Sequence, residues 1–178
     1  MIDMGNWGPL IWIILIVFVV QFLRRRRDWT SVPASSIYVV DGDTFHVLLN
    51  SGAWVKVRPI RYDAPEMDQK GGRMAAAAMR RLAKKGLYMR ELSLDVYGRT
   101  LAEVRIGENG EGGDLARHMI NAGLAHSVAE SGAGRFIETL IPRLLGRGIW
   151  KNSWLGFTVT NPRIHRAAKA WSQRYRAD

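Results

Sequence analysis

Acidic side chains follow two short apolar runs in the first half of the chain. Asp41 and Asp43 flank a glycine after the first run, and Asp63 and Glu66 come some twenty residues later, in the segment RPIRYDAPE at 58–66. Acidic residues beside apolar strands are unfavourable unless they are paired or bound to a cation. Carboxylates that converge from two strand ends therefore predict a site for a hard cation, Ca²⁺ or Mg²⁺, with water and a backbone carbonyl completing the ligands.

Each acidic motif also has a purely structural explanation. Asp-Gly-Asp is typical of a turn, and Asp-Ala-Pro-Glu is typical of a loop that ends in a helix cap. Arg58 and Arg99 favour the functional interpretation, because a planar guanidinium binds two phosphate oxygens at once and stays charged. A divalent cation beside two arginines can stabilise the negative charge that develops when a phosphodiester is attacked.

Short runs rich in β-branched and aromatic residues predict the elements that position these side chains. The first three runs form a meander, with a turn at 50–52. The four-residue spacing of Met74, Ala78 and Leu82 predicts a helix that Gly86 ends. Asp114 is suited to cap a second helix. The predicted strands are 37–40, 44–49, 54–60, 87–94 and 100–106, and the predicted helices are 72–85, 115–122 and 136–145.

Three strands, a helix, two strands and then further helices is the element order of an OB-type barrel with added helices. The predicted fold class is therefore a β-barrel plus α (α+β): a five-stranded OB-type barrel with about three helices, preceded by one transmembrane helix.

The 178 residues include no Cys. This composition excludes a disulfide framework, Cys-ligated zinc and a Cys nucleophile, so a metal must be held by oxygen or imidazole.

Several motifs follow one another in a fixed order: VDGDT at 40–44, R-x4-D-A-P-E at 58–66, D-x-Y-G-R at 95–99, a G-x-L-A segment and a late G-I-W. Together they resemble the staphylococcal nuclease family, also called thermonucleases, over roughly residues 35–150. The resemblance implies a five-stranded OB-type barrel and a Ca²⁺-dependent phosphodiesterase acting on DNA and RNA, with Mg²⁺ as the alternative cation. By the same analogy, the enzyme breaks the bond to the 5′-oxygen and leaves a 3′-phosphate.

The resemblance also implies roles for individual acidic residues. Asp43 and Asp63 match the metal ligands, and the backbone carbonyl of Ala64 matches a third ligand. Asp41 matches a carboxylate that lies just outside the ligands. Glu66 matches the carboxylate that orients or deprotonates the attacking water.

Arg58 and Arg99 match the two arginines that bind the scissile phosphate in the family. The chain departs from the family pattern on the substrate side: the loop at 67–73 is short, and Ala129 and Ser131 stand near the place where tyrosines pack on the nucleotide. Tyr97 remains as the candidate substrate contact.

An uncharged run of seventeen residues, WGPLIWIILIVFVVQFL at 7–23, precedes this domain, and four arginines at 24–27 follow it. At 1.5 Å per residue, such a helix spans roughly 25 Å, close to the thickness of a bilayer core. A core helix buried on every side is the alternative. No Lys or Arg precedes the run, so the positive-inside rule predicts a single-pass protein of a bacterial-type inner membrane with its domain in the cytoplasm. A periplasmic or extracellular domain is the other orientation.

The chain thus divides into an extension at 1–6, a membrane anchor at 7–23, a basic linker at 24–34, the nuclease-like domain at 35–150 and a basic extension at 151–178. The net charge of +10 fits either a polyanionic partner, such as nucleic acid or lipid headgroups, or a solvated, soluble surface. In the C-terminal extension, mixed arginines and tryptophans fit contact with nucleic acid, contact with an anionic membrane, or packing onto the domain.

The predicted function is a metal-dependent, membrane-tethered nuclease whose partners are DNA and/or RNA and the membrane. The sequence indicates no protein partner. The alternative is a non-catalytic nucleic-acid-binding OB-type module on the same anchor.

Overall fold

The computed structural model describes residues 11–18, 28–128, 132–151 and 159–174. The chain divides into two compact units, Met1–Thr30 and Ser31–Asp178. In the first unit, residues 11–18 are helical and their apolar side chains are exposed. The rest of the predicted anchor at 7–23 lies outside the described residues. Within the parts of the chain that are described, no helix has both the length and the apolar character needed to span a bilayer.

A curled six-stranded sheet forms the centre of the second unit. Its strand order is β1-β6-β7-β4-β3-β2, and a small second sheet pairs β5 with β8. The strands are β1 (Thr30–Val32), β2 (Ile37–Val39), β3 (Phe45–Leu48), β4 (Trp54–Pro59), β5 (Tyr62–Asp63), β6 (Leu87–Leu94), β7 (Thr100–Ile106) and β8 (His126–Ser127).

The pairing confirms the predicted meander, since β2, β3 and β4 run antiparallel to one another. The strand β4 then pairs in parallel with β7, and β7 pairs antiparallel with β6. These five strands follow the order of an OB-type barrel and form a half-barrel. The sequence analysis did not predict β1, which extends the sheet beside β6, or the two-residue strands β5 and β8.

Four α-helices are described in this unit: α1 (Gly72–Ala83), α2 (Leu115–Asn121), α3 (Gly132–Leu144) and α4 (Pro162–Arg174). The predicted cap of α2 is confirmed, because the Asp114 carboxylate accepts a hydrogen bond from the backbone N of Arg117 at 2.8 Å. The prediction of about three helices is too low. The basic C-terminal extension contains α4, which Asn161 caps through the backbone N of Arg163 at 2.9 Å.

Gly42, between the two aspartates of the first acidic motif, lies where the chain packs tightly against two alanines. A Cβ atom at this position would lie 2.6 Å from the Cβ of Ala64 and 2.8 Å from the Cβ of Ala75, on α1. Both alanines are buried. The absence of a side chain at Gly42 therefore brings the Asp41–Asp43 turn against the β5 segment and α1.

We expect Gly42→Ala to lower the free energy of unfolding by about 1–3 kcal/mol, because the added methyl group overpacks this contact. Urea unfolding followed by circular dichroism measures the effect. Gly52→Asn is the control, since Gly52 has a φ of 82°, which asparagine tolerates, and open space around it. Equal stability of Gly42→Ala and the wild type would contradict the packing described.

Candidate active site

Two buried aspartates from the separate acidic motifs meet at one arginine. Asp43 lies between β2 and β3, Asp63 ends β5, and their exposed fractions are 4% and 2%. Arg58, on β4, places Nη1 at 2.9 Å from Oδ1 of Asp43 and Nη2 at 2.5 Å from Oδ1 of Asp63. The structure therefore brings together the two acidic motifs and the arginine that the sequence analysis singled out.

Backbone groups of the two motifs fix the orientation of Asp43. Its second carboxylate oxygen accepts a hydrogen bond from the backbone N of Ala64 at 2.9 Å. Asp41 accepts a hydrogen bond from the backbone N of Asp43 at 2.9 Å, so it holds the turn from outside the cluster. The hydroxyl of Tyr62, which is buried, donates to the carbonyl of Gly42 at 3.0 Å.

Glu66 reaches the same cluster from the loop that precedes α1. Its backbone N donates to Oε1 of Gln69 at 2.8 Å, which holds the loop in a tight turn. Gly72, the first residue of α1, passes so close to the Glu66 carbonyl that any side chain there would collide with it. The side chain of Glu66 is about one-third exposed, at 32%, whereas those of the two aspartates are buried.

Arg166, on α4, also contacts this cluster, a place in the site that the basic pattern of the C-terminal extension did not predict. Its Nη2 lies 2.8 Å and 2.7 Å from the two oxygens of Asp63, and its Nη1 lies 2.6 Å from Oε1 of Glu66. Asn161 followed by Pro162 is a typical helix start and could have predicted α4. No sequence pattern indicates which acidic side chain an arginine one hundred residues away will contact.

The pKa values of the two aspartates in the cluster are shifted in opposite directions. Burial raises the pKa of the Asp43 carboxyl to about 7, although the charge of Arg58 acts the other way. Burial also acts to raise the pKa of Asp63, but hydrogen bonds and charge from Arg166, with the charge of Arg58, hold it below its ordinary value. Asp63 is therefore the more strongly ionised member of the pair.

Arg99 lies in the turn between β6 and β7 and is held by Asp95. Its Nε lies 2.7 Å from Oδ2 of Asp95, and Oδ1 of Asp95 accepts hydrogen bonds from the backbone N of Tyr97 and of Arg99, each at 2.9 Å. The guanidinium carbon lies 5.4 Å from the centre of the Tyr97 ring, which is 80% exposed. Within the described residues, Arg99 pairs with Asp95 rather than with the carboxylate cluster.

The donor atoms of the cluster fit a hard cation in their chemistry. Asp43, Asp63 and Glu66 offer carboxylate oxygens, which Ca²⁺ and Mg²⁺ prefer. Two arginines already balance this negative charge, and Arg166 contacts both Asp63 and Glu66. A dication could take over that charge balance. In the arrangement described, no group of three or more acidic or imidazole side chains within the described residues is placed to hold a metal ion.

His126 lies beside Asp63 in the small second sheet, where the two residues are paired in register. Its ring packs edge-on against that of Trp150, with 4.9 Å between the ring centres, and the guanidinium of Arg143 lies over the other ring at 4.5 Å. Among the described residues, Nε2 of His126 has no hydrogen-bond partner. Burial, together with the charge of Arg143, lowers the pKa of His126 to about 4.

The lowered pKa of His126 predicts a loss of stability in acid. The unfolded state binds a proton at His126 below pH 6.5, whereas the folded state binds it only near pH 4, so stability falls as the pH drops through this interval. Between pH 7.5 and pH 5, this group is expected to remove about 2 kcal/mol from the free energy of unfolding.

Comparison with His126→Phe isolates this effect, because phenylalanine keeps an aromatic ring against Trp150 but does not titrate. Urea unfolding of both proteins with chelator, at pH 7.5 and at pH 5, gives the difference between them. The wild type should lose more stability than the variant on acidification. A pH-independent difference would contradict the neutral, buried imidazole.

The described residues form a half-barrel of OB-type strand order that carries a cluster of carboxylates and arginines. Comparisons with known proteins agree with this fold. The family described as "Staphylococcal nuclease homologue" matches residues 56–138. An uncharacterized endonuclease of Escherichia coli O157:H7 is 30% identical over 142 residues, which cover 78% of this chain and 88% of that protein. The chain therefore belongs to the staphylococcal nuclease homologue family.

Two further relatives come from Escherichia coli. An uncharacterized endonuclease gives the same identity and coverage as that of strain O157:H7. Protein ParB is 29% identical over 99 residues, which are 55% of this chain and 55% of that protein. The chain thus matches about half the length of ParB.

Proposed function

We propose that this chain is a nuclease that hydrolyses phosphodiester bonds of DNA and/or RNA with the help of a divalent cation, Ca²⁺ in preference to Mg²⁺. The observation that carries the proposal is the convergence of Asp43, Asp63 and Arg58 in one cluster, which Arg166 joins to Glu66. Family membership and the endonuclease relatives support the reaction class.

In the proposed mechanism, Asp43, Asp63 and the carbonyl of Ala64 hold the cation, and Asp41 orients Asp43 through its backbone N. When bound, the cation supplies positive charge where negative charge develops on the phosphate oxygens. Glu66 orients the attacking water and takes its proton.

Two arginines bind the scissile phosphate in this mechanism. Arg58 approaches from β4, and Arg99 approaches from the turn after β6, where Tyr97 is exposed for contact with a base or sugar. The water oxygen bonds to phosphorus as the bond from phosphorus to the 5′-oxygen breaks. The 5′-oxygen takes up a proton from solvent and leaves as a hydroxyl group, Glu66 returns its proton to solvent, and the other strand end keeps a 3′-phosphate.

Cleavage and binding measured side by side test the proposal against a non-catalytic binding module. The full-length chain is incubated with single-stranded DNA, double-stranded DNA and RNA in Ca²⁺, in Mg²⁺ and in chelator. The nuclease proposal expects strand cleavage with cation and a large loss of cleavage in Arg99→Ala, while Arg81→Ala, at an exposed position of α1, retains it. Binding without cleavage in every condition would overturn the enzyme and leave the binding module.

We further propose that residues 7–23 tether the chain to a membrane, with the domain on the cytoplasmic side. The uncharged run and the four arginines at 24–27 support this proposal. Alkaline-phosphatase activity of a fusion after the last residue reports on the orientation, because the enzyme is active only outside the cytoplasm. An active fusion would contradict the orientation, and recovery of the chain in the supernatant of carbonate-washed membranes would contradict the tether.

A further inference from the structure

The helix α4 is held over the candidate active site by ion pairs along one of its faces. Arg166 pairs with Asp63 and Glu66, as described above. About one turn further along, Lys169 places Nζ at 2.8 Å from Oδ2 of Asp68. His165, which directly precedes Arg166, places Nε2 at 3.2 Å from the other oxygen of the same carboxylate. Each contact joins α4 to the Asp63–Asp68 segment, which carries Asp63 and Glu66 of the proposed mechanism.

Contacts from the chain before α4 hold it in the same place. The side chain of Gln69 donates to the carbonyl of Thr160 at 3.4 Å, and Nζ of Lys70 donates to the carbonyl of Lys151 at 3.1 Å. Gln69 also holds the backbone of Glu66. A cavity of about 290 Å³ lies beside Asp63, and His126 and Arg163 are among the other residues that line it. The helix thus covers the site while leaving open space next to Asp63.

The Arg166 guanidinium uses the oxygens that the proposed mechanism needs. Both oxygens of Asp63 and one oxygen of Glu66 accept its hydrogen bonds. A cation bound by both Asp63 and Glu66 would have to take the place of the Arg166 guanidinium, and the two positive groups would repel each other there. While Glu66 is paired with Arg166, its Oε1 is occupied by that hydrogen bond and is not available to a water molecule.

We propose that α4 is an autoinhibitory element: Arg166 and a divalent cation bind Asp63 and Glu66 in competition, so the site gains its cation only when α4 moves away. This inference rests on the proposed function, which assigns Asp63 and Glu66 to a nuclease site. The competition itself concerns cation binding and helix docking, both of which are measurable without any cleavage. Regulation of this kind would restrain an unspecific nuclease until cation or a polyanion releases α4.

The experiment measures Ca²⁺ affinity by isothermal titration calorimetry on the full-length wild type, on Arg166→Ala and on Arg81→Ala. Arg81 is exposed on α1, so its removal takes away the same charge without touching the cluster. We expect Arg166→Ala to bind Ca²⁺ at least about tenfold more tightly than the wild type, corresponding to about 1.4 kcal/mol, and Arg81→Ala to match the wild type. Equal affinities of all three proteins would overturn the proposal.

Amide hydrogen exchange provides a second readout that does not depend on any variant. Saturating Ca²⁺ should raise the exchange of residues 162–174 in the wild type, because α4 must leave the cluster as the cation enters. Unchanged or slower exchange with Ca²⁺ would overturn the proposal even if Arg166→Ala failed to fold.

Cleavage measured on the same proteins separates the two proposals. Tighter Ca²⁺ binding in Arg166→Ala without cleavage of any nucleic acid would support the competition and contradict the nuclease. Faster cleavage by Arg166→Ala at limiting Ca²⁺ would support both. A slower reaction with unchanged Ca²⁺ affinity would overturn autoinhibition and assign Arg166 to phosphate binding, while leaving the nuclease in place.

Discussion

Replacement of Arg58 by alanine is expected to have the largest combined effect of any single change in the candidate site. Arg58 pairs with two carboxylates whose side chains are only 5% and 2% exposed. Among the residues that the structure describes, its loss leaves Asp43 without an ion-pair partner. Removing one member of a buried ion pair destabilises a protein by about 3–5 kcal/mol. Arg166 still pairs with Asp63, so we expect about 3 kcal/mol.

The rate of cleavage by Arg58→Ala should fall together with its stability, because Arg58 binds the scissile phosphate in the proposed mechanism. Loss of one group that stabilises developing charge lowers kcat by about 10²–10³-fold. Urea unfolding measures the stability, and cleavage at a temperature where the variant remains folded measures the rate.

The matched control is Arg90→Ala, which removes a pair with Glu103 whose side chains are about 30% exposed on neighbouring strands. Exposed pairs contribute at most about 1 kcal/mol. If Arg58→Ala and Arg90→Ala lost equal stability and both retained cleavage, the buried cluster would have no special role.

The second large effect is expected for Glu66→Gln, which keeps the shape of the side chain but removes its capacity to take a proton. General base catalysis contributes about 10²–10⁴-fold to rate, so kcat should fall within that range. The fold should be maintained, because Glu66 is partly exposed and its backbone contact with Gln69 does not involve the carboxylate. Single-turnover cleavage and a urea unfolding curve test the two parts separately.

Glu91→Gln is the control for this change, because Glu91 is an exposed glutamate on β6, far along the chain from the acidic motifs. It should cleave at the wild-type rate. Cleavage by Glu66→Gln at that same rate would remove Glu66 from the mechanism, even if the carboxylates of Asp43 and Asp63 proved essential.

The sequence was sufficient to predict most of the half-barrel. Strands β2 to β4, β6 and β7 carry β-branched and aromatic residues between clear turn signals, and the strands form where this local pattern predicts them. The strands β5 and β8 have two residues each, which is too short for any periodicity to indicate them. The acidic motifs were found because acidic residues beside apolar strands are unfavourable unless they are paired or bound to a cation.

The arrangement around Arg166 could not be predicted in the same way. The basic side chains of the C-terminal extension fitted three alternatives: contact with nucleic acid, contact with a membrane, or packing onto the domain. The described residues show Arg166 and Lys169 against acidic side chains of the domain. Such contacts join residues about one hundred positions apart, so they depend on the tertiary fold rather than on local sequence. Arg99 was found by motif, yet its partner Asp95 was recognised only in the structure.

The most direct test of the central proposal is cleavage of a labelled single-stranded DNA by the full-length wild type as Ca²⁺ is added back to metal-free protein. The proposal predicts no cleavage in chelator and a rate that rises with Ca²⁺ to a plateau. Binding of the DNA without cleavage at every Ca²⁺ concentration would contradict it, and so would cleavage that chelator does not affect.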